Sequence, residues 1–148
     1  MSAHREFRPR NRLAEMIHEP GGLAISDALQ RAEANIESLH GEVAAAIDQA
    51  LAKLQQAVPL GVDGADEMYR RSNDIVGFAV TLALRDVGRA AYSLCELLDR
   101  QRMRGSWNTQ AVAVHVEALR LLREPSGDAV SRAKILDGLD RVLAVTAA

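Results

Sequence analysis

Residues 68–100 read MYRRSNDIVGFAVTLALRDVGRAAYSLCELLDR, and their spacing decides the fold class. Met68, Ser72, Ile75, Ala79 and Leu82 recur at intervals of four and three, which places them on one face of an α-helix. That row is expected to enter a core. Asn73, Val76, Gly77 and Val80 form a second row at intervals of three and four, less polar than a solvent face normally is. Gly77 inside a helix costs roughly 1 kcal/mol relative to Ala. A close approach of another backbone would account for it. That backbone belongs either to a neighbouring helix of the same chain or to a docked partner, and both readings stand.

Outward from this stretch the chain divides at strong breakers. Helices are expected over about 26–57, 65–83, 86–103, 107–124 and 128–146, with no sheet. Ser26 is the expected N-cap of the first and Asp86 of the third. Pro59, Gly61 and Gly64 mark one loop, Gly105-Ser106 another, and Glu124-Pro125-Ser126-Gly127 the last. Connections this short make successive helices antiparallel neighbours in an up-down bundle. Helix one carries Leu29, Ala32, Ile36, Leu39, Val43, Ile47, Ala50, Leu54 and Ala57 as a single stripe. Its length allows packing within the chain or pairing with a second copy as a homodimer. Ile135, Leu139, Val142 and Leu143 mark the apolar face of helix five.

Residues 1–22 read as a basic N-terminal arm and short turn, and 23–148 as a single helical-bundle domain. The arm carries Arg5, Arg8, Arg10 and Arg12, with Pro9 against a regular helix start. It serves as a docking arm or simply as a solvated tail. Leu13–His18 form a short helical turn before Pro20-Gly21-Gly22.

Composition narrows the function classes. The chain has 148 residues, 48% hydrophobic but only 3% aromatic, so Leu, Val, Ile and Ala must fill the core. A net charge of -2 lacks the basic excess of a nucleic-acid binder. The lone Cys95 has no internal disulfide partner, and no Cys/His spacing fits a zinc site. No signal-peptide pattern or membrane-length apolar run is present, so a cytoplasmic location without membrane contact is expected. No phosphate loop, Walker motif or nucleophile elbow occurs, so neither cofactor nor enzymatic activity is expected.

The 68–100 stretch resembles a histidine phosphotransfer (HPt) domain. That family reads H-x-x-K-G, then small residues, a Leu-Gly-like turn, and a helix of L-x-x-x-A-x-x-L-E flavour. Gly77 falls on the motif glycine and Ala79 on the small residue after it. Leu82-Ala83-Leu84 falls on the turn, and Val87, Ala91, Leu94 and Glu96 fall on the following helix. The detailed match covers under a quarter of the chain. Asn73 stands where the phosphorylated histidine would be, and Val76 where the lysine would be. An Asn amide nitrogen is conjugated with its carbonyl and is not nucleophilic. Val76 removes the charge that would stabilise phosphate. The resemblance therefore implies an HPt-type bundle with a long first helix that keeps the docking shape without the chemistry. Its implied partner is a response-regulator receiver domain or a histidine (sensor) kinase. More loosely, the chain resembles CheE-type accessory proteins of chemotaxis clusters. The expected partner-binding residues are Arg70, Asn73, Asp74, Val76, Gly77 and Val80, with Arg71 on the polar rim.

Other candidates carry alternative readings. His115 points to the apolar side of helix four. It reads either as a buried, hydrogen-bonded histidine with a depressed pKa or as an alternative phosphoacceptor. His40 flanks the helix-one stripe but lacks the lysine and glycine offsets, while His4 and His18 read as solvated. Trp107 is expected to cap the core and Cys95 to be an inert core thiol. Asp63, Asp66, Glu67 and Asp74 read as caps and solubilising charge rather than metal ligands or acid-base groups.

Overall fold

The computed structural model describes residues 24–146. Every regular element among them is helical: α1 (Ile25–Ala57), a 3-10 segment (Val58–Gly64), α2 (Ala65–Thr81), α3 (Arg85–Arg104), α4 (Thr109–Arg123) and α5 (Ala129–Val145). The basic arm, the Leu13–His18 turn and the Pro20-Gly21-Gly22 breaker lie outside the described residues, as do His4 and His18. No helix among the described residues is long and apolar enough to cross a membrane.

The chain divides into two units, residues 1–37 and 38–148. In the first, every residue from 24 to 37 is exposed, including Leu29 and Ile36 of the helix-one stripe. The second unit holds a helical bundle with one continuous core. Ile47 and Leu54 of α1 enter it, with Met68 and Ile75 of α2, Leu94 and Leu97 of α3, Val112 and Leu119 of α4, and Leu139 of α5. Full burial of one such side chain contributes about 1.5–3 kcal/mol, so these rows hold the bundle together. Trp107 and Phe78 pack against the core half-buried. The helix-one stripe is therefore divided: Ile47, Ala50, Leu54 and Ala57 are buried, while Leu39 is 56% exposed.

Helix α3 is the hub, packing against α2, α4 and α5. Gly88 is the reason α2 comes so close to it: a Cβ there would stand 3.3 Å from the Ala79 Cβ. The α2–α3 link is a three-residue turn. Leu84 N–H donates to Ala79 O at 2.8 Å and Ala83 N–H to Val80 O at 3.2 Å, closing the end of α2 as a Schellman motif. Ala83 takes φ 54°, left-handed for a residue with a Cβ.

Three local expectations need correction. Ser26 is not a cap: α1 already begins at Ile25, and the Ser26 hydroxyl reaches only Asp27. Asp86 is not a cap either. Leu84 occupies that position without a side-chain bond, and Asp86 sits in the first turn of α3, accepting from Arg132 Nε at 2.7 Å. The loop at Pro59 is a 3-10 segment broken by Gly61, whose φ of 61° and ψ of -134° are non-helical. The caps that do form are Asn108, accepting from Ala111 N–H at 2.9 Å, and Asp128, accepting from Val130 and Ser131 N–H, both at 2.9 Å.

Candidate functional site

Helix α2 has two unlike faces. Met68, Ser72, Ile75 and Ala79 are buried, and Leu82 packs half-buried beyond the helix end. The Ser72 hydroxyl is satisfied internally, donating to Met68 O at 2.8 Å. On the other face Asn73, Gly77 and Val80 are exposed. Val80 is 79% exposed. Val76 is half-buried between the faces and also touches the core.

Gly77 is the informative residue. A Cβ built on it meets nothing within 4 Å. Among the described residues no neighbouring helix needs this glycine, so the intramolecular reading finds no support there; Gly41 and Gly138, also within helices, stand in equally open space.

Charge flanks the strip on its N-terminal side. Glu67 accepts from Arg71 Nε at 2.7 Å and pairs with Arg70 at 2.8 Å, while Arg71 also reaches Asp74 at 3.3 Å. The Arg71 hydrogen bond holds the Glu67 carboxyl below its usual range, with the charges of Arg70 and Arg71 adding to the effect. These pairs lie within one helix and are at most part-buried, so they order the rim more than they stabilise the fold.

At the C-terminal end the strip opens into a hollow of about 570 Å³ lined by Val76, Val80, Ala83, Arg85 and Arg89, among others. Arg89 also reaches Asp140 at 3.4 Å. The two arginines are not among the sequence-predicted site residues. Sequence spacing puts positions 85 and 89 four apart at the start of α3, but only the turn at Ala83 brings them to the strip. The structure thus brings Asn73, Gly77 and Val80 onto one open strip. Arg70 and Asp74 stand at its edge, engaged with Glu67 and Arg71.

His115 lies in the opposite kind of environment. It is fully buried. Its Nδ1 stands 2.8 Å from Ala111 O, and its Nε2 3.1 Å from Ser93 Oγ. A carbonyl only accepts, so Nδ1 carries the proton, Nε2 is the acceptor, and the Ser93 hydroxyl donates to it. Burial pushes the imidazole pKa down, opposed in part by the Ala111 carbonyl. With both ring nitrogens engaged and no exposed surface, this imidazole has no path to a phosphoryl donor in this conformation. His40, on α1, is exposed.

Cys95 is buried, and desolvation, with the Asp99 charge adding, pushes its thiol up to about 11. Such a thiol stays protonated and unreactive at neutral pH. Asp66 pairs with Arg102 between helices. Among the described residues no three His, Cys, Asp or Glu side chains gather as a metal site. Comparison of the chain with models of protein families, with characterised proteins and with solved structures yields no match.

Proposed function

We propose that this chain is a non-catalytic docking adaptor that binds a receiver domain or histidine kinase through the open face of α2. On this reading its bundle has the antiparallel up-down plan of an HPt domain, and its role is to modulate two-component or chemotaxis signalling in the cytoplasm. One observation carries the docking half of the reading: Gly77 stands in open space on a strip shared with Asn73 and a 79% exposed Val80. A glycine that costs helix stability yet serves no internal packing fits a surface another molecule must approach closely. The partner class comes from the resemblance of residues 68–100 to HPt domains. The absence of chemistry comes from Asn73 and Val76 in place of the histidine and lysine.

An interface centred here would have an apolar middle, Val76 and Val80, and a charged rim, Arg70, Arg71 and Asp74. Arg85 and Arg89 add positive charge at one end, suited to an acidic partner surface.

The test is binding of receiver domains and kinases from the same organism to wild-type, Gly77→Arg, Val80→Glu and Arg71→Ala proteins, with a melting curve for each. Gly77→Arg blocks approach and Val80→Glu buries an unpaired charge. Each is expected to cost about 2 kcal/mol or more of binding, roughly thirtyfold, with little change in melting. Arg71→Ala should mainly change on-rate and salt dependence. Retained binding of every partner by Gly77→Arg and Val80→Glu would move the docking face elsewhere. Acid-labile phosphate on His115 or His40 after incubation with kinase and ATP would make the chain a phosphotransferase instead. A tight oligomer with no signalling partner would make it a structural protein.

A further inference from the structure

Helix α1 carries an apolar seam that the other described residues leave open. Every residue from Ala24 to Glu42 is exposed. Within that length Ile25 is 77% exposed, Leu29 59%, Ile36 52% and Leu39 56%. Ile25, Leu29, Ala32, Ile36, Leu39 and Val43 follow one another at intervals of four, three, four, three and four, the heptad spacing of a coiled coil. The alternation then breaks: the next step, to the fully buried Ile47, is again four. The change in spacing coincides with the change in burial. Six layers of seam end where the stripe starts to serve the core of its own chain.

The helix also needs a cover. A stretch of about 20 residues that buries none of its side chains among the described residues is marginal as a helix in water by itself. This one contains Asn35, Ser38, His40 and Gly41, which are poor helix formers.

We infer that α1 pairs with α1 of a second copy of this chain as a parallel, two-stranded coiled coil over residues 25–43. The layers point to that occupant and that orientation. Leu29, Ile36 and Val43 occupy the a positions, and Ile25, Ala32 and Leu39 the d positions. Ile36 and Val43 at a, with Leu39 between them at d, follow the pattern that favours parallel dimers, whereas Leu29 at a and Ile25 at d do not, so the last three layers carry the two-stranded assignment. The flanks agree. In parallel register each g residue faces the e residue five positions on in the other copy. Within residues 25–43 the facing pairs are Ala28 with Glu33 and Asn35 with His40, neither of them like-charged. An antiparallel pairing that keeps all six layers centres the crossing between Ala32 and Ile36. It then sets Glu33 against Glu33 of the other copy, a like-charge contact.

The test uses the full chain. Sedimentation equilibrium over micromolar concentrations should give twice the mass of one chain. Ile36→Asp and Leu39→Asp each place a charge in the seam and should raise the dimer dissociation constant by roughly a hundredfold. The fluorescence of Trp107, the only tryptophan, reports whether each variant keeps its folded bundle. Ala32→Cys lies at a d layer. Mild oxidation should cross-link it to its own copy in a parallel pair but not in an antiparallel one, where it faces Ile36. Wild type, whose Cys95 is buried, is the uncross-linked control. A monomeric wild-type chain overturns the inference, whether the seam is covered by the chain's own first residues or by a different protein. A dimer indifferent to both aspartate variants overturns it too, and a dimer that Ala32→Cys fails to cross-link overturns the parallel arrangement.

Discussion

Asn73 and His115 stand at opposite extremes of access and chemistry. Asn73 is exposed on α2 beside a glycine in open space, but its amide cannot accept a phosphoryl group. His115 has a lone pair on Nε2, but that nitrogen is held by Ser93 inside the core. Phosphoryl acceptance needs a nucleophile and a path to it, and neither position offers both. On the proposed reading the open face of α2 serves recognition, while the His115–Ser93 pair is part of the core.

The harshest way to break this comparison is to remove the buried partner. His115→Ala leaves a cavity and strands the Ser93 hydroxyl without its acceptor. Together these should cost about 3 kcal/mol of stability or more. Chemical denaturation measures it. A loss under 1 kcal/mol would mean the imidazole is not the core element described here.

A gentler perturbation is acid. The His115 imidazole is held below its ordinary value of 6.5, so the unfolded chain takes up the proton first. Its contribution to stability is complete above about pH 6.5. It is lost progressively as pH falls towards the lower folded-state value, and levels off beneath that. Glu67, Glu117 and Asp128, each held low by hydrogen bonds, lose their contributions as pH falls from the ordinary carboxylate range towards their lower folded-state values. Denaturation of wild type and His115→Leu between pH 7.5 and 5, windows set about the ordinary histidine value, separates the two effects. Parallel curves would mean that His115 titrates as if it were in water.

What could be read from the sequence follows from which interactions are local. The five helices and the buried row of α2 were legible because Met68, Ser72, Ile75 and Ala79 obey a strict period. His115 was legible as a buried group because apolar neighbours surround it in sequence, but Ser93, its partner 22 residues away, was not. Caps were misread for the same reason. Ser26 and Asp86 have the right chemistry for a cap, yet Asp86 is claimed by Arg132, 46 residues on. The open strip was visible as a row, but two readings of Gly77 stood until the space around it was known. Arg85 and Arg89 escaped because their place at the strip depends on the turn at Ala83, whose left-handed backbone no period reveals.

That turn supplies a smaller test of the exposed side. Ala83 holds φ 54° at the end of α2, where glycine carries no Cβ penalty. Ala83→Gly should stabilise the protein by about 1 kcal/mol, less whatever the freer unfolded chain takes back. A rise of roughly 2–4 °C in melting temperature is expected for a domain of this size. A fall would mean the Ala83 methyl makes contacts worth more than the strain.

The smallest expected effect is the most discriminating, because stability and binding should move in opposite directions. Gly77 lies within α2, and a Cβ there meets nothing within 4 Å. Gly77→Ala therefore adds helix propensity at no steric cost and should raise stability by about 0.5–1 kcal/mol. If the strip were only a solvated face, that gain would be the whole effect. If a partner seats against Gly77, the added methyl holds it off, and affinity for the receiver domain or kinase falls while the melting temperature rises. A lower melting temperature would place α2 against something inside its own chain, and the strip would no longer be open. A higher melting temperature with unchanged binding would leave α2 exposed as described but move the recognition surface away from Gly77, with the hollow at Arg85 and Arg89 next to be mutated.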